Sequence, residues 1–113
     1  MTQPETPPIP APMTLAWFES GLESTFDVTS YTVEGPVLAL RLVEVRKLSA
    51  PPGWEQFSAF FHGPVSPLAM QGTYRFTHSV LGEIGLFMMP VGREAEAIHY
   101  EVCVTRDTRT GSK

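Results

Sequence analysis

Residues 72–90 read G-T-Y-R-F-T-H-S-V-L-G-E-I-G-L-F-M-M-P, and this stretch decides the fold. In its first half, Tyr74, Phe76 and His78 occupy one phase, and polar or charged residues occupy the other. A period of two is typical of a β-strand with one buried face. The stretch therefore begins with one strand of an antiparallel sheet.

A hairpin brings the chain back. Residues 79–82 have the length of a tight turn, and Gly82 can adopt the positive φ that such turns require. The return strand is predicted to end at Pro90, which lacks a backbone donor. Gly85 within it indicates either a bulge or the close approach of another group. The apolar face of the return strand consists of Ile84, Leu86 and Met88.

Strand patterns continue on both sides of this hairpin. Residues 37–47 and 56–63 predict two earlier strands. In the first strand the apolar side chains change from even-numbered to odd-numbered positions between Leu42 and Val43, which indicates a bulge. In the second, phenylalanine occurs at both even-numbered and odd-numbered positions, which indicates that both faces of the strand are covered. Residues 98–105 predict the last strand, with Ile98, Tyr100, Val102 and Val104 inward and His99, Glu101, Cys103 and Thr105 outward.

A short helix is predicted before the first strand. Thr14 is a plausible N-cap, and Leu15, Phe18 and Leu22 recur at helical spacing. The helix should cover residues 14–20 and lead into a strand near residues 25–29. The aromatic pair formed by Trp17 and Phe18 should fix it to the sheet.

These elements predict a mainly β fold: a small antiparallel curled sheet or open barrel of five to six strands with one short N-terminal helix. The 11 prolines and 9 glycines suit short strands and turns, and 113 residues suit one domain. We expect a disordered Pro-rich tail over residues 1–12, a β domain over 13–107 and a frayed end over 108–113. The predicted core contains Phe18, Leu40, Leu42, Phe57, Phe61, Tyr74, Phe76, Leu86, Tyr100 and Val102.

Composition argues against several classes of function. The net charge of −4 and the scattered basic residues do not suit nucleic acid. A single cysteine, Cys103, excludes an internal disulfide and a cysteine-based zinc site. The sequence shows no signal peptide and no apolar run long enough to span a membrane, so we expect a cytoplasmic protein by default. Incorporation into an exported assembly stays open.

The sequence identifies no catalytic, cofactor-binding or metal-binding residue. Histidines occur in three predicted strands, at His62, His78 and His99, and strands of one sheet could bring them to one face. Their phases differ, however, so we expect no metal. Glu55, Glu83 and Glu101 are ordinary candidates for acid–base chemistry with no supporting motif. We therefore expect no enzyme and no cofactor.

Three motifs resemble a family of small bacterial proteins without established activity. They are the F-S-A-F-F-H-G-P strand from Phe57, the Q-G-T-Y-R-F-T-H-S-V-L-G hairpin from Gln71, and L-F-M-M-P-V-G from Leu86. The closing Y-E-V-C-V strand from Tyr100 fits as well. This sequence departs from the pattern at Val80, where proline is usual, and at Cys103. Members of the family are often encoded near proteins that resemble phage-tail collars, and the resemblance transfers no site residues.

Two functions follow as hypotheses. The first is a non-enzymatic structural, adaptor or assembly protein of a bacterial or phage-tail-like system, which binds another protein or a second copy through a sheet edge. The edge should lie near residues 26–29 or 98–105, since neither strand carries a protective proline or lysine. The alternative is a β-barrel protein that binds a small ligand in its interior, for which the many aromatic residues are available.

Overall fold

The computed structural model describes residues 11–31, 34–35 and 37–108. Most of the predicted N-terminal tail and all but the first residue of the predicted frayed end lie outside these ranges. The described part contains one helix and six strands: α1 (Leu15–Ser20), β1 (Thr25–Ser30), β2 (Leu38–Leu48), β3 (Trp54–Gly63), β4 (Gly72–His78), β5 (Gly82–Arg93) and β6 (Ile98–Asp107).

All neighbouring strands are antiparallel, and the sheet closes into a ring in the order β1-β2-β3-β6-β5-β4. The ring closes because β1 pairs on both of its sides: Val28 lies opposite Leu38 of β2 and opposite Phe76 of β4. The ring is not a regular barrel, because its ladders have unequal lengths. The prediction of a mainly β, curled antiparallel sheet with one short helix is confirmed, and the number of strands is six.

Closure corrects the prediction of a free edge at the first strand. Asp27 and Val28 of β1 have partners in both β2 and β4, so the backbone groups on both sides of the strand are used. The sequence could not reveal this pairing, since β1 and β4 are far apart along the chain. The first half of β6 is likewise enclosed, between β3 and β5.

The strand β5 is longer than predicted. It continues past Pro90 to Arg93, because the register shifts between Pro90 and Gly92. A bulge tolerates a proline, since the ladder is locally interrupted there. The other predicted bulge, in β2, is confirmed by a register shift between Leu42 and Glu44.

Gly85 marks a close approach and not a bulge. The β4–β5 register is continuous past this residue. A Cβ at Gly85 would lie 2.7 Å from the hydroxyl oxygen of Tyr31, which crosses the outer surface of the sheet there. The guanidinium of Arg75, which is opposite Gly85 in the ladder, lies 4.8 Å from the centre of the same tyrosine ring. The contact therefore favours glycine at this position, because a larger residue would have to displace the Tyr31 side chain.

The helix forms as predicted. Thr14 is its N-cap, with extended backbone and a side-chain oxygen that accepts from the Trp17 amide at 3.1 Å. Trp17 and Phe18 are both buried. The ring of Phe18 packs edge-to-face on Phe57 of β3 with centroids 5.3 Å apart, so the helix is fixed over the inner face of the sheet.

Aromatic and aliphatic side chains fill the inside of the ring. Nine of the ten predicted core residues are buried, and the tenth, Tyr74, is half-buried against the core. The predicted cover on both faces of β3 is only partial at Phe60, whose ring is partly buried on the outer face beneath the guanidinium of Arg46 at 4.9 Å. The core list omitted Phe26 and Val28, and it also omitted Trp17 and Met88, which the sequence had placed against the sheet and on an apolar strand face.

Replacing Phe57 by alanine tests this core. The side chain is fully buried beneath α1, so we expect Phe57→Ala to lower the free energy of unfolding by about 3–5 kcal/mol. Denaturant unfolding measures the change. The matched control is Phe87→Ala on the outer face of β5, where half of the side chain is exposed and the loss should stay below about 1 kcal/mol. Equal losses in both variants would contradict the assignment.

Candidate functional site

A groove lies at the end of the ring where β1 finishes and β2 begins. Its volume is about 430 Å³, and it opens to solvent. Val28 and Leu38 contribute buried apolar surface from these two strands, and Ala69 contributes it from the loop between β3 and β4. The groove lies outside the packed interior, since its lining comes from three strands and from two loops: Val28, Ser30, Glu34, Gly35, Leu38, Pro67, Leu68, Ala69, Met70 and Tyr74.

Two tyrosines hold the loop that forms one wall of the groove. The hydroxyl of Tyr100, on the inner face of β6, accepts a hydrogen bond from the Ala69 amide at 3.0 Å. The hydroxyl of Tyr74 on β4 donates to the Met70 carbonyl at 2.7 Å. Because both residues belong to strands of the ring, the wall has a defined position without any ligand.

The outer part of the groove is apolar and exposed. Met70 is 69% exposed and Leu68 is 48% exposed, and both side chains line the groove. Val37, which precedes the buried Leu38, is also exposed. Exposed apolar side chains at a concave surface, such as those of Met70 and Leu68, are typical of interaction sites. Within the described lining, Glu34 is the single charged residue.

The structure brings two of the three histidines together. His62 and His99 are register partners on the outer face of β3 and β6, and their rings stack with centroids 4.1 Å apart. The neighbouring Gly92 lies beside the His99 ring, and a Glu94 oxygen lies 3.5 Å from the His99 Nε2 without forming a hydrogen bond. The two histidines therefore pack against each other on the outer surface of the sheet.

His78 lies elsewhere and supports the β4–β5 turn. Its Nδ1 accepts from the amides of Val80 and Leu81 at 3.0 and 3.1 Å. Its Nε2 lies 2.8 Å from Oγ of Ser24, whose own proton goes to the Gly21 carbonyl. These bonds assign the proton to Nε2 and make His78 a bridge between the turn and the segment after α1.

Cys103 belongs to a small polar cluster on the outer face of β3 and β6. Oγ of Ser58 donates to a Glu101 oxygen at 2.6 Å, and Sγ of Cys103 donates to the same oxygen at 3.2 Å. Partial burial raises the pKa of the Cys103 thiol; the hydrogen-bond contact between Cys103 Sγ and Ser58 Oγ at 3.5 Å lowers this pKa, and Glu101 raises it again. The cluster therefore favours the neutral thiol, which is a poor nucleophile.

Within residues 11–31, 34–35 and 37–108, no group of three or more His, Cys, Asp or Glu side chains is placed to hold a metal ion. No helix in those ranges has the length and apolar character needed to cross a membrane. The groove is thus the strongest candidate for a functional site in the part of the chain that the structure describes.

Fold and groove together define a six-stranded, mainly β domain with an apolar surface site at one end. Residues 13–104 match the family model described as a domain of unknown function, DUF6916. Because the match covers most of the chain, this protein belongs to the DUF6916 family. No curated protein and no solved structure matches it.

Sequence reasoning missed the groove because its parts lie far apart along the chain. Residues 64–71 lie between two predicted strands, and Met70 within this segment is well exposed. A usable signal was the run of apolar side chains in a loop bounded by Gly63 and Gly72, since loops lie on the surface. Nothing in that run indicated that Tyr100 would hold it.

Removing the Tyr100 hydroxyl tests how the wall is held. Tyr100→Phe leaves the buried amide of Ala69 without its acceptor, so we expect a loss of about 1–3 kcal/mol in the free energy of unfolding. Hydrogen exchange at the Ala69 amide should accelerate. In the control Tyr74→Phe the lost bond is exposed, and the loss of stability should be smaller. Unchanged exchange at Ala69 in Tyr100→Phe would contradict this role.

A second prediction concerns the thiol. Replacing Glu101 by glutamine removes a carboxylate that raises the Cys103 pKa, so more thiolate should be present at pH 8. We expect alkylation by iodoacetamide, followed by mass spectrometry, to accelerate by a factor between about 2 and 10. The control is Glu44→Gln, whose carboxylate pairs with Arg46 on β2. Equal rates in wild type and Glu101→Gln would refute the assigned influence.

Proposed function

We propose that this protein is a non-enzymatic adaptor or assembly protein that binds an extended polypeptide segment in the groove between β1, β2 and the loop of residues 64–71. The observation that carries the proposal is the location of the apolar surface. The interior is occupied by packed side chains, whereas the groove at the end of the ring carries exposed apolar groups.

The interior supports a solid domain and not a container. Phe26, Phe61 and Phe76 come from three different strands and pack with ring centroids 5.2–6.4 Å apart. All three are fully buried. A ligand inside the ring would have to displace these rings, and each large buried side chain contributes several kcal/mol to stability. This argues against the hypothesis of a ligand in the interior.

The shape of the groove favours a polypeptide. A site for a small molecule encloses most of its ligand, whereas this groove opens to solvent and its apolar side chains extend beyond the floor. Met70 is unbranched and mostly exposed, so it can adapt to a partner side chain. The carboxylate of Glu34 at the lining favours a basic residue in the bound segment.

The biological setting is a further part of the proposal. A bacterial assembly of the phage-tail or fibre type rests on the family resemblance alone, because the resembling proteins are often encoded near tail-collar-like proteins. An adaptor in such an assembly needs a stable domain and a binding surface on it. The packed ring and the tethered loop provide these two features.

A small apolar ligand in the same groove is the second candidate. The volume of about 430 Å³ falls within the range of ligand sites, and Ser30 and Tyr74 are polar residues of the lining. Native mass spectrometry of the protein purified from its own cells distinguishes the two. A bound small molecule that is lost from Met70→Glu supports this second candidate.

The primary test uses peptides displayed on phage. Wild-type protein should select, from a random library, peptides with apolar residues beside a basic one. Met70→Glu should weaken binding of the selected peptides by about tenfold or more, as expected when a central apolar contact becomes a charge. Fluorescence anisotropy with synthetic copies of those peptides measures the dissociation constants.

A matched variant controls for nonspecific apolar contact. Val80 is 65% exposed in the β4–β5 turn at the other end of β4, so Val80→Glu introduces the same charge away from the groove. Its affinity for the selected peptides should equal that of the wild type. If no peptide discriminates between wild type and Met70→Glu, the groove does not bind polypeptides and the proposed function fails.

A further inference from the structure

The second half of β6 extends beyond the strand that encloses the first half. The β5–β6 ladder covers Ile98 to Glu101 on β6 and ends there. The β3–β6 ladder continues to Asp107. From Val102 to Arg106, β6 therefore has a strand neighbour on its β3 side alone, among residues 11–31, 34–35 and 37–108.

The backbone groups that face this open side can be assigned by alternation. The Thr108 amide donates to the Gly53 carbonyl at 2.8 Å, so even-numbered residues at this end of β6 direct their backbone groups to β3. Odd-numbered residues direct theirs away. The β5–β6 ladder agrees with this assignment. Pro90, which lacks an N–H, lies opposite the even-numbered Tyr100, whose backbone groups point away from β5. Cys103 and Thr105 thus present their N–H and C=O groups at the open side.

The strands β2, β3 and β6 extend together beyond the ring as a three-stranded ribbon, and the margin of this ribbon at β2 is protected. The strand β2 also extends beyond its neighbour β1. Pairing on that side ends where the Leu42 amide donates to the Ser24 carbonyl at 3.0 Å. Beyond that point β2 carries Glu44, Arg46 and Lys47, and charged residues commonly prevent edge pairing. In contrast, Val102 to Thr105 contains no charged residue, no proline and no glycine.

A second copy of this chain matches the open side of β6. In a two-fold arrangement centred on Val104, Cys103 lies opposite Thr105 of the partner subunit, and Thr105 lies opposite the partner's Cys103. The outward N–H and C=O groups of both residues then find partners in both copies. Val104 faces the partner's Val104, and within residues 102–106 no like charges oppose each other, whereas at the margin of this register Glu101 lies opposite the partner's Asp107. A register centred on Cys103 would instead use Glu101, whose backbone groups already face β5.

We propose that two copies associate through residues 102–106 of β6 and join their sheets in an antiparallel, two-fold register centred on Val104. This interface is independent of the groove and goes beyond the proposed function: it makes the adaptor bivalent. Because one short strand contributes a small area, the dimer should be weak and should depend on protein concentration.

Sedimentation equilibrium at increasing concentration tests the association. We expect the 12.5 kDa chain to approach twice its mass in the millimolar range. Thr105→Pro removes an outward N–H and should weaken the dimer more than about tenfold. The matched control is Lys47→Pro, at a position on β2 that also faces away from β3, and it should dimerise as the wild type does. Thr105→Lys provides a second disrupting variant if the proline impairs folding.

Hydrogen exchange locates the interface. Exchange at the amides of Cys103 and Thr105 should slow as protein concentration rises, whereas Val102 and Val104, which face β3, should be protected at every concentration. Met70→Glu should leave the dimer unchanged, which separates this test from that of the groove. A monomer throughout the range, a dimer without concentration-dependent protection at Cys103 and Thr105, or equal weakening by Thr105→Pro and Lys47→Pro would each overturn the proposal.

Discussion

The packing of Phe26 against Phe61 and Phe76 is the interaction on which the rest of the structure depends. These rings come from β1, β3 and β4 and meet edge-to-face or tilted in the centre of the ring. The strand β1 has only six residues, yet it joins β2 to β4 and so closes the sheet. Burial of Phe26 and Val28 holds that short strand in place, and without it the ring would open at both of its ladders.

Because a short strand closes the ring, the longer strands extend beyond it. The strands β2, β3 and β6 contain ten or eleven residues, whereas β1 and β4 contain six and seven. The surplus forms a three-stranded ribbon, and its inner face needs cover. The helix α1 provides cover through Phe18, which packs on Phe57. Both margins of the ribbon lie outside the ring, where charged residues protect β2, whereas residues 102–105 of β6 carry no charge.

Local chemistry made much of this fold predictable. Alternation located the strands, Thr14 located the helix, the phase slip after Leu42 located a bulge, and Gly82 has the positive φ expected of the hairpin. Pairings between distant segments were not predictable, since a strand pattern says which face is buried but not which strand lies beside it. For that reason ring closure, the contact between Tyr31 and Gly85, and the tether between Tyr100 and Ala69 appeared only in the structure.

Tyr100 links the two surfaces that the proposals concern. Its ring packs in the core and its hydroxyl bonds the groove wall, while the next residue, Glu101, ends the β5–β6 ladder and begins the open part of β6. One strand therefore positions the groove loop at its start and offers an edge at its end. Joining two copies at that edge would hold two grooves in a fixed relation, and a ligand with two matching segments would then bind the pair more tightly than a single domain. In this arrangement weak contacts at each surface suffice, because the second segment binds at the effective concentration that the first one sets.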